Sequence, residues 1–180
     1  MLYKTQGRYR EAEPLIKRAL AIREQQLGAE HPGTATCLCN LAALYATQGK
    51  HEEAEMLYLR ALAIFEQELG ATHPDTASCL NNLAAFYYTQ GRYGEAEPLL
   101  KRALAIREQE STAMHPDTAS CLNNLAFLYM TQGRYEEAEP LYQRALAIYE
   151  HILGRQHPNT QTTRQNYITL LRTMGRDAET

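Results

Sequence analysis

Residues 75–90 read DTASCLNNLAAFYYTQ, and residues 117–132 read DTASCLNNLAFLYMTQ, a near copy placed 42 residues further on. In the first, Leu80, Leu83, Ala84 and Tyr87 fall at i, i+3, i+4 and i+7, the spacing of one face of an α-helix. The same period governs the rest of the chain. Gln-Gly recurs at Gly7, Gly49, Gly91 and Gly133, and Met174-Gly175 continues the series. His-Pro recurs at His31, His73, His115 and His157, and the seven prolines occupy two phases of the repeat, at 32, 74, 116, 158 and at 14, 98, 140. No proline is left over to mark a linker. The chain therefore reads as a single domain, residues 1–180, with units at 1–33 (incomplete), 34–74, 75–116, 117–158 and 159–180 (incomplete).

Each unit divides in two. The segment just described, helix A, ends at Gly91, a residue suited to the left-handed conformation that closes helices. From Tyr93 onward YGEAEPLLKRALAIREQE places Ala96, Leu99, Leu100, Ala103 and Ile106 on one face of a second helix, B. The turn Leu69-Gly70-Ala71-Thr72-His73-Pro74-Asp75 supplies Gly to stop one helix, then Pro and Asp to start the next. No run alternates polar and apolar residues over strand length, so the expectation is all-α, a series of antiparallel helical hairpins without a sheet. Small residues such as Ala84 and Ala96 would let paired axes approach to roughly 8–10 Å.

The arrangement Leu83-Ala84, Tyr87, Gly91, Tyr93, Ala96 and Ala103-Leu104, repeated in register at Leu41-Ala42 and Leu125-Ala126, resembles the tetratricopeptide repeat. Nearly the whole chain shares the resemblance. The 42-residue period, the Ala-Leu-Ala-Ile helix end and the Leu-Gly-x-x-His-Pro turn are similar to the repeats of kinesin light chains, a style many bacterial arrays share. The resemblance implies a right-handed α-solenoid whose groove holds a protein or an extended peptide.

Composition narrows the alternatives. A net charge of -3 and a pI near 6.1 provide no broad cationic surface for nucleic-acid phosphates. The N-terminus carries no apolar signal core, and the longest uncharged stretch, residues 34–49, is too rich in Thr, Asn and Gln to span a bilayer. A cytoplasmic protein with no membrane or nucleic-acid partner is expected, with its four cysteines as free thiols. Cys37, Cys79 and Cys121 lie one repeat apart, with Cys39 extra, which distributes the thiols instead of gathering a metal-ligand set. The pairing of His73 with Cys79 recurs as His31/Cys37 and His115/Cys121, and an enzyme has no use for three copies of a dyad. Neither catalysis nor a cofactor is expected. The series Glu11, Glu53, Glu95 and Glu137, in Glu-Ala-Glu, with Arg18, Arg60, Arg102 and Arg144 seven residues on, reads as exposed helix charge.

Helices A are nearly uncharged while helices B hold most of the Glu, Lys and Arg, which assigns A to the inner, ligand-facing side of a solenoid. The two near-identical A helices differ at three positions, Ala85/Phe127, Phe86/Leu128 and Tyr88/Met130, and the first and third pairs lie opposite the constant Leu-Leu-Ala-Tyr stripe. Residues that stack the units must repeat, whereas a groove reading a non-repetitive ligand must vary. Undirected drift at exposed positions would give the same variation. Tyr88, Phe127 and Met130 are thus candidates for an apolar anchor pocket. Asn40, Asn82, Asn124 and Asn166 recur on the same face, joined by Asn81 and Asn123, and a carboxamide can pair with both N–H and C=O of an extended backbone. In the resembled family these asparagines line the groove. The alternative is a ladder of asparagines bonding neighbouring helices. Kinesin light chains take acidic peptides through basic groove residues; here only Lys4 and Arg172 would contribute positive charge, so an acidic preference is not carried over. The ends stop within a unit, leaving stacking faces open to head-to-tail self-association or to further repeats of a longer signalling protein.

Overall fold

The computed structural model describes residues 9–109 and 114–176, and Lys4, together with the helix turn expected over residues 1–6, lies outside them. Among the described residues there are eight helices and no strand: α1 (Tyr9–Leu27), α2 (Pro32–Thr47), α3 (His51–Glu68), α4 (Pro74–Thr89), α5 (Tyr93–Gln109), α6 (Pro116–Thr131), α7 (Tyr135–Leu153) and α8 (Pro158–Thr173). Even-numbered helices are the A helices and odd-numbered ones the B helices. The fold is all-α and built of helical repeats, and it divides into two compact units, residues 1–86 and 87–180.

In the first unit α2 packs on α3 and on α1, around Leu38, Ala35, Ala61, Ile64, Phe65 and Cys79. In the second, α6 packs on α7 and α5, and α8 on α7. The periodic apolar face of α4 is buried as its spacing requires, with Leu80, Leu83, Ala84 and Tyr87 all in the core. On α5, Ala96, Leu100, Ala103 and Ile106 are buried as expected; Leu99 is only half-buried, and Leu104 takes a core place in addition. The alanines at the two small positions, Ala42, Ala84 and Ala126 in A and Ala54, Ala96 and Ala138 in B, have no exposed surface.

Both kinds of turn follow from the repeated residues. At each A-helix end a glycine takes a left-handed conformation, Gly133 with φ 76°, which would cost an L side chain energy. Its N–H donates to Met130 O, and the next N–H, of Arg134, reaches back to Tyr129 O at 2.9 Å; the same pair of bonds closes the turns at Gly49, Gly91 and Gly175. At each A-helix start the imidazole Nδ1 of His31, His73, His115 or His157 accepts the main-chain N–H two residues on, at 2.9–3.2 Å, so the recurring histidines are N-caps. The Thr that follows is buried, and in three repeats its hydroxyl donates to the carbonyl of the glycine ending the previous B helix: Thr34 to Gly28, Thr76 to Gly70 and Thr160 to Gly154.

The glycine turn also sets the electrostatics. It folds the cation after the glycine back over the tyrosine that opens the turn: Lys50 over Tyr45 (4.6 Å to the ring centroid), Arg92 over Tyr87 (4.2 Å) and Arg134 over Tyr129 (3.9 Å). At two of these turns a glutamate of the preceding B helix receives the cation and the phenol together. Glu97 accepts from Arg134 at 2.9 Å, Lys101 at 2.7 Å and Tyr129 OH at 3.3 Å, and Glu13 accepts from Lys50, Lys17, Gln48 and Tyr45. Glu139 likewise accepts from Arg176 and from a phenol, but that of Tyr167, since Leu171 stands where the other turns have their tyrosine. The second glutamate of Glu-Ala-Glu is therefore an inter-repeat clamp, with Glu97 only 20% exposed, and not loose surface charge. The first, as at Glu95 and Glu137, is exposed and pairs with the turn arginine three residues earlier. Arg60 and Arg144 pair across B helices, with Glu24 and Glu108.

Replacing Ala84 by Leu should cost about 1–3 kcal/mol by overpacking, read as a lower urea midpoint; melts that overlay the parent's would contradict it. The Lys17 ammonium, followed by Gln48 and Lys50, holds the Glu13 carboxyl at about 2 against an ordinary 4.5. Because the folded-state value is the lower one, this stabilisation is complete above pH 4.5 and is lost as the pH falls towards about 2. Glu13→Gln should therefore flatten the acid limb of stability across that window, and an unchanged limb would show that the clamp contributes nothing.

Candidate functional site

The residues singled out for ligand contact fall in both units. In the first unit, Asn40 and Asn82 are exposed and Asn81 is half-buried. In the second, Tyr88, Asn123, Asn124, Phe127, Met130 and Asn166 are half-buried and Arg172 is exposed on α8. None belongs to the core that repeats from hairpin to hairpin.

An aromatic group organises the second unit. Tyr88, at the end of α4, lies 5.2 Å from the Phe127 ring and 5.4 Å from the Tyr93 ring, centroid to centroid, both tilted. Its hydroxyl is 2.9 Å from Thr131 Oγ1, and that hydroxyl in turn donates to Phe127 O. Met130, three residues beyond Phe127, stands on the same side of α6. The rings are thus fixed in place while part of each remains open to solvent. Tyr142 of α7 is fully buried, its hydroxyl has no hydrogen-bond partner among the described residues, and burial, with Tyr88 nearby, pushes its phenol above the ordinary value.

The carboxamides divide. Asn123 Oδ1 accepts from Thr163 Oγ1 at 3.2 Å and from Asn166 Nδ2 at 3.4 Å, so α6 and α8 are joined side chain to side chain. Asn123 Nδ2 donates to Asn124 Oδ1 at 3.4 Å. Asn123 and Asn166 therefore hold neighbouring A helices together in this structure, and Asn124 sits at the open edge of the same group. Beside Asn123 lies a polar cavity of about 160 Å³, lined by Ser120, Tyr149, Asn159, Thr162 and Thr163. The sequence reading missed it, because its walls come from two A helices and one B helix that lie far apart in the chain.

The recurring His and Cys have separate partners where they are described. His73 uses Nδ1 to cap α4, and Cys79, six residues on, is directed at Tyr58 O and Cys39. No cluster of three His, Cys, Asp or Glu suited to a metal ion occurs among the described residues, and no described helix is long and apolar enough to cross a membrane.

Comparison with known proteins agrees with this architecture. A family model described as tetratricopeptide repeat matches residues 1–67 and 40–109, and a second of the same description matches 118–159. Two crystal structures of the nearly identical TPR-like repeats of a Podosopora anserina protein described as a kinesin light chain are each 28% identical, cover 96% of this chain and 82% of theirs, and superpose with TM-scores of 0.76 and 0.74. BtubC (BKLC) from P. vanneervenii is also 28% identical, with a TM-score of 0.80 over 97% of this chain and 69% of that one. No curated protein sequence matches. With helical hairpins of the same register over most of its length, and with family models matching well over half of it, the chain belongs to the tetratricopeptide repeat family, whose members are generally scaffolds for protein interaction.

Proposed function

We propose that the chain is a binding module that holds an extended segment of another protein along its A helices. In the second unit Tyr88, Phe127 and Met130 seat one apolar side chain of that segment, and Asn124 pairs with its backbone. Asn40, Asn81 and Asn82 offer the same carboxamide chemistry on the first unit, and Arg172 offers positive charge on α8. The observation that carries this reading is the Tyr88–Phe127 pair, two rings 5.2 Å apart and half-buried, at positions where the repeats differ from one another. Stacking the hairpins does not call for them: the equivalent positions elsewhere hold Ala46 and Arg172, or Ala43, Ala85 and Thr169. Large aromatic side chains left partly in solvent by a rigid scaffold suit an anchor for a ligand residue. The module acts by binding and not by catalysis, in the cytoplasm, without cofactor, nucleic acid or membrane.

A second reading is favoured by one group of residues. Thr163 and Asn166 both donate to Asn123, which gives those carboxamides a structural use and fits an element that self-associates head to tail, or a sensor segment of a larger protein, with no peptide of its own.

A peptide-library selection with the chain and with a Phe127→Ala/Asn124→Ala variant separates the two. Loss of an anchor contact should weaken the selected peptide by about 2 kcal/mol or more, roughly thirtyfold in Kd. Equal affinity for both proteins, or no ligand together with oligomers that grow with concentration in light scattering, would favour the structural element.

A further inference from the structure

The register between neighbouring A helices has one chemically distinct member. In the second unit Asn123 accepts a hydrogen bond from Thr163, forty residues on, and this joins α6 to α8. Two repeats earlier the same two positions are Cys39 on α2 and Cys79 on α4, also forty residues apart, with their sulfurs at 3.5 Å. Elsewhere the position of Cys39 holds Asn81, Asn123 or Gln165, and that of Cys79 holds Cys37, Cys121 or Thr163. A pair of thiols at this bonding position thus occurs once, and the two sulfurs already touch, where covalent closure needs a further approach to about 2.05 Å. The two differ in access. Cys79 is 1% exposed inside the core of Leu38, Ala35 and Ile64, whereas Cys39 is half-buried at the edge of that core and can be reached from solvent.

We infer that Cys39 and Cys79 form a thiol modification site, which a low-molecular-weight disulfide converts to an intramolecular disulfide stapling α2 to α4. Cys39, as thiolate, attacks the small disulfide, and one small thiol leaves, taking up a proton. The Cys79 thiolate then attacks the Cys39 sulfur of the mixed disulfide and expels the second small thiol. Two protein thiols lose their hydrogens, the S–S bond forms between them, and the reagent gains both electrons and both protons. The hydrogen bond that Cys79 shares with Cys39, in which the Cys79 thiol keeps its hydrogen, then burial, push that thiol well above its ordinary value, so the closing step is slow near neutrality and quickens as the pH rises. Among the described residues neither of the other two cysteines makes a sulfur–sulfur contact: Cys121 is buried in the second unit, and Cys37 is half-buried on α2, two residues from Cys39.

The test is incubation of the full chain with oxidised glutathione in mildly alkaline buffer, followed by thiol titration in denaturant and tryptic mass mapping. Cys37 and Cys39 share one tryptic peptide, so a Cys37→Ser variant is carried alongside. The expected result is loss of two of the four titratable thiols, a cross-link between the peptides holding Cys39 and Cys79 that survives Cys37→Ser, and its absence in Cys39→Ser. A higher melting temperature, reversed by reductant, should accompany closure. Four free thiols after prolonged incubation, a stable glutathione adduct on Cys39 alone, or a bond that uses Cys37 or Cys121 would overturn the assignment.

Discussion

Everything in this structure depends on how each A helix ends. A glycine held at positive φ turns the chain so that the following amide bonds back to the tyrosine carbonyl five residues earlier, and so the following side chain lands on that tyrosine's ring. At Lys50, Arg134 and Arg176 that side chain also meets the glutamate of the previous B helix. One backbone conformation thus closes the hairpin and ties it to its predecessor through a ring, a cation and a carboxylate. A residue with a Cβ at the glycine would strain the turn and displace the cation together. The opposite turn is fixed with equal economy, by a histidine cap and a threonine that reads the carbonyl of the preceding helix end.

These two turns confine the packing residues to positions that must recur every 42 residues, and they free others. The constant Leu-Leu-Ala-Tyr stripe of the A helices goes inward, whereas positions 85, 127, 88 and 130 stay at least partly accessible. The separation of fixed from free positions is what lets a repeat scaffold carry a ligand-specific surface without loss of stability. Tyr88 and Phe127 occupy two of the freed positions, held by stacking and by the Tyr88–Thr131 hydrogen bond yet not enclosed.

The fold was legible because its signal is written five times. Period, helix spacing, glycine stops and proline starts all coincide, and each element lies where Leu80, Leu83, Ala84 and Tyr87 place it. What escaped the sequence are pairings between residues far apart in the chain. Glu97 and Arg134 lie 37 residues apart, so the glutamate looks like one more surface charge until the turn brings the arginine back. Arg107 also looks like outer-face charge, but it occupies the core position that Phe65 and Tyr149 fill in other repeats, paired with Asp117 at 3.1 Å. The histidines were placed at the turns, but which ring nitrogen caps which amide depends on geometry that spacing does not carry. The asparagines were left between two roles, and the structure gives Asn123 and Asn166 a helix-to-helix bond while Asn124 keeps the edge. The nearness of Cys39 to Cys79 has the same origin as these pairings, a register of forty residues visible only once the hairpins are stacked.

The turns and the core settle the packing, and in the function proposed above the unrepeated face of the A helices is the working surface. The most direct measurement is side-chain NMR of the asparagine carboxamides and aromatic rings during titration with a selected peptide. The resonances of Asn124, Tyr88 and Phe127 are expected to move while those of the clamp residues Tyr129 and Tyr45 stay in place. Shifts confined to the B helices, or to the clamps, would contradict it.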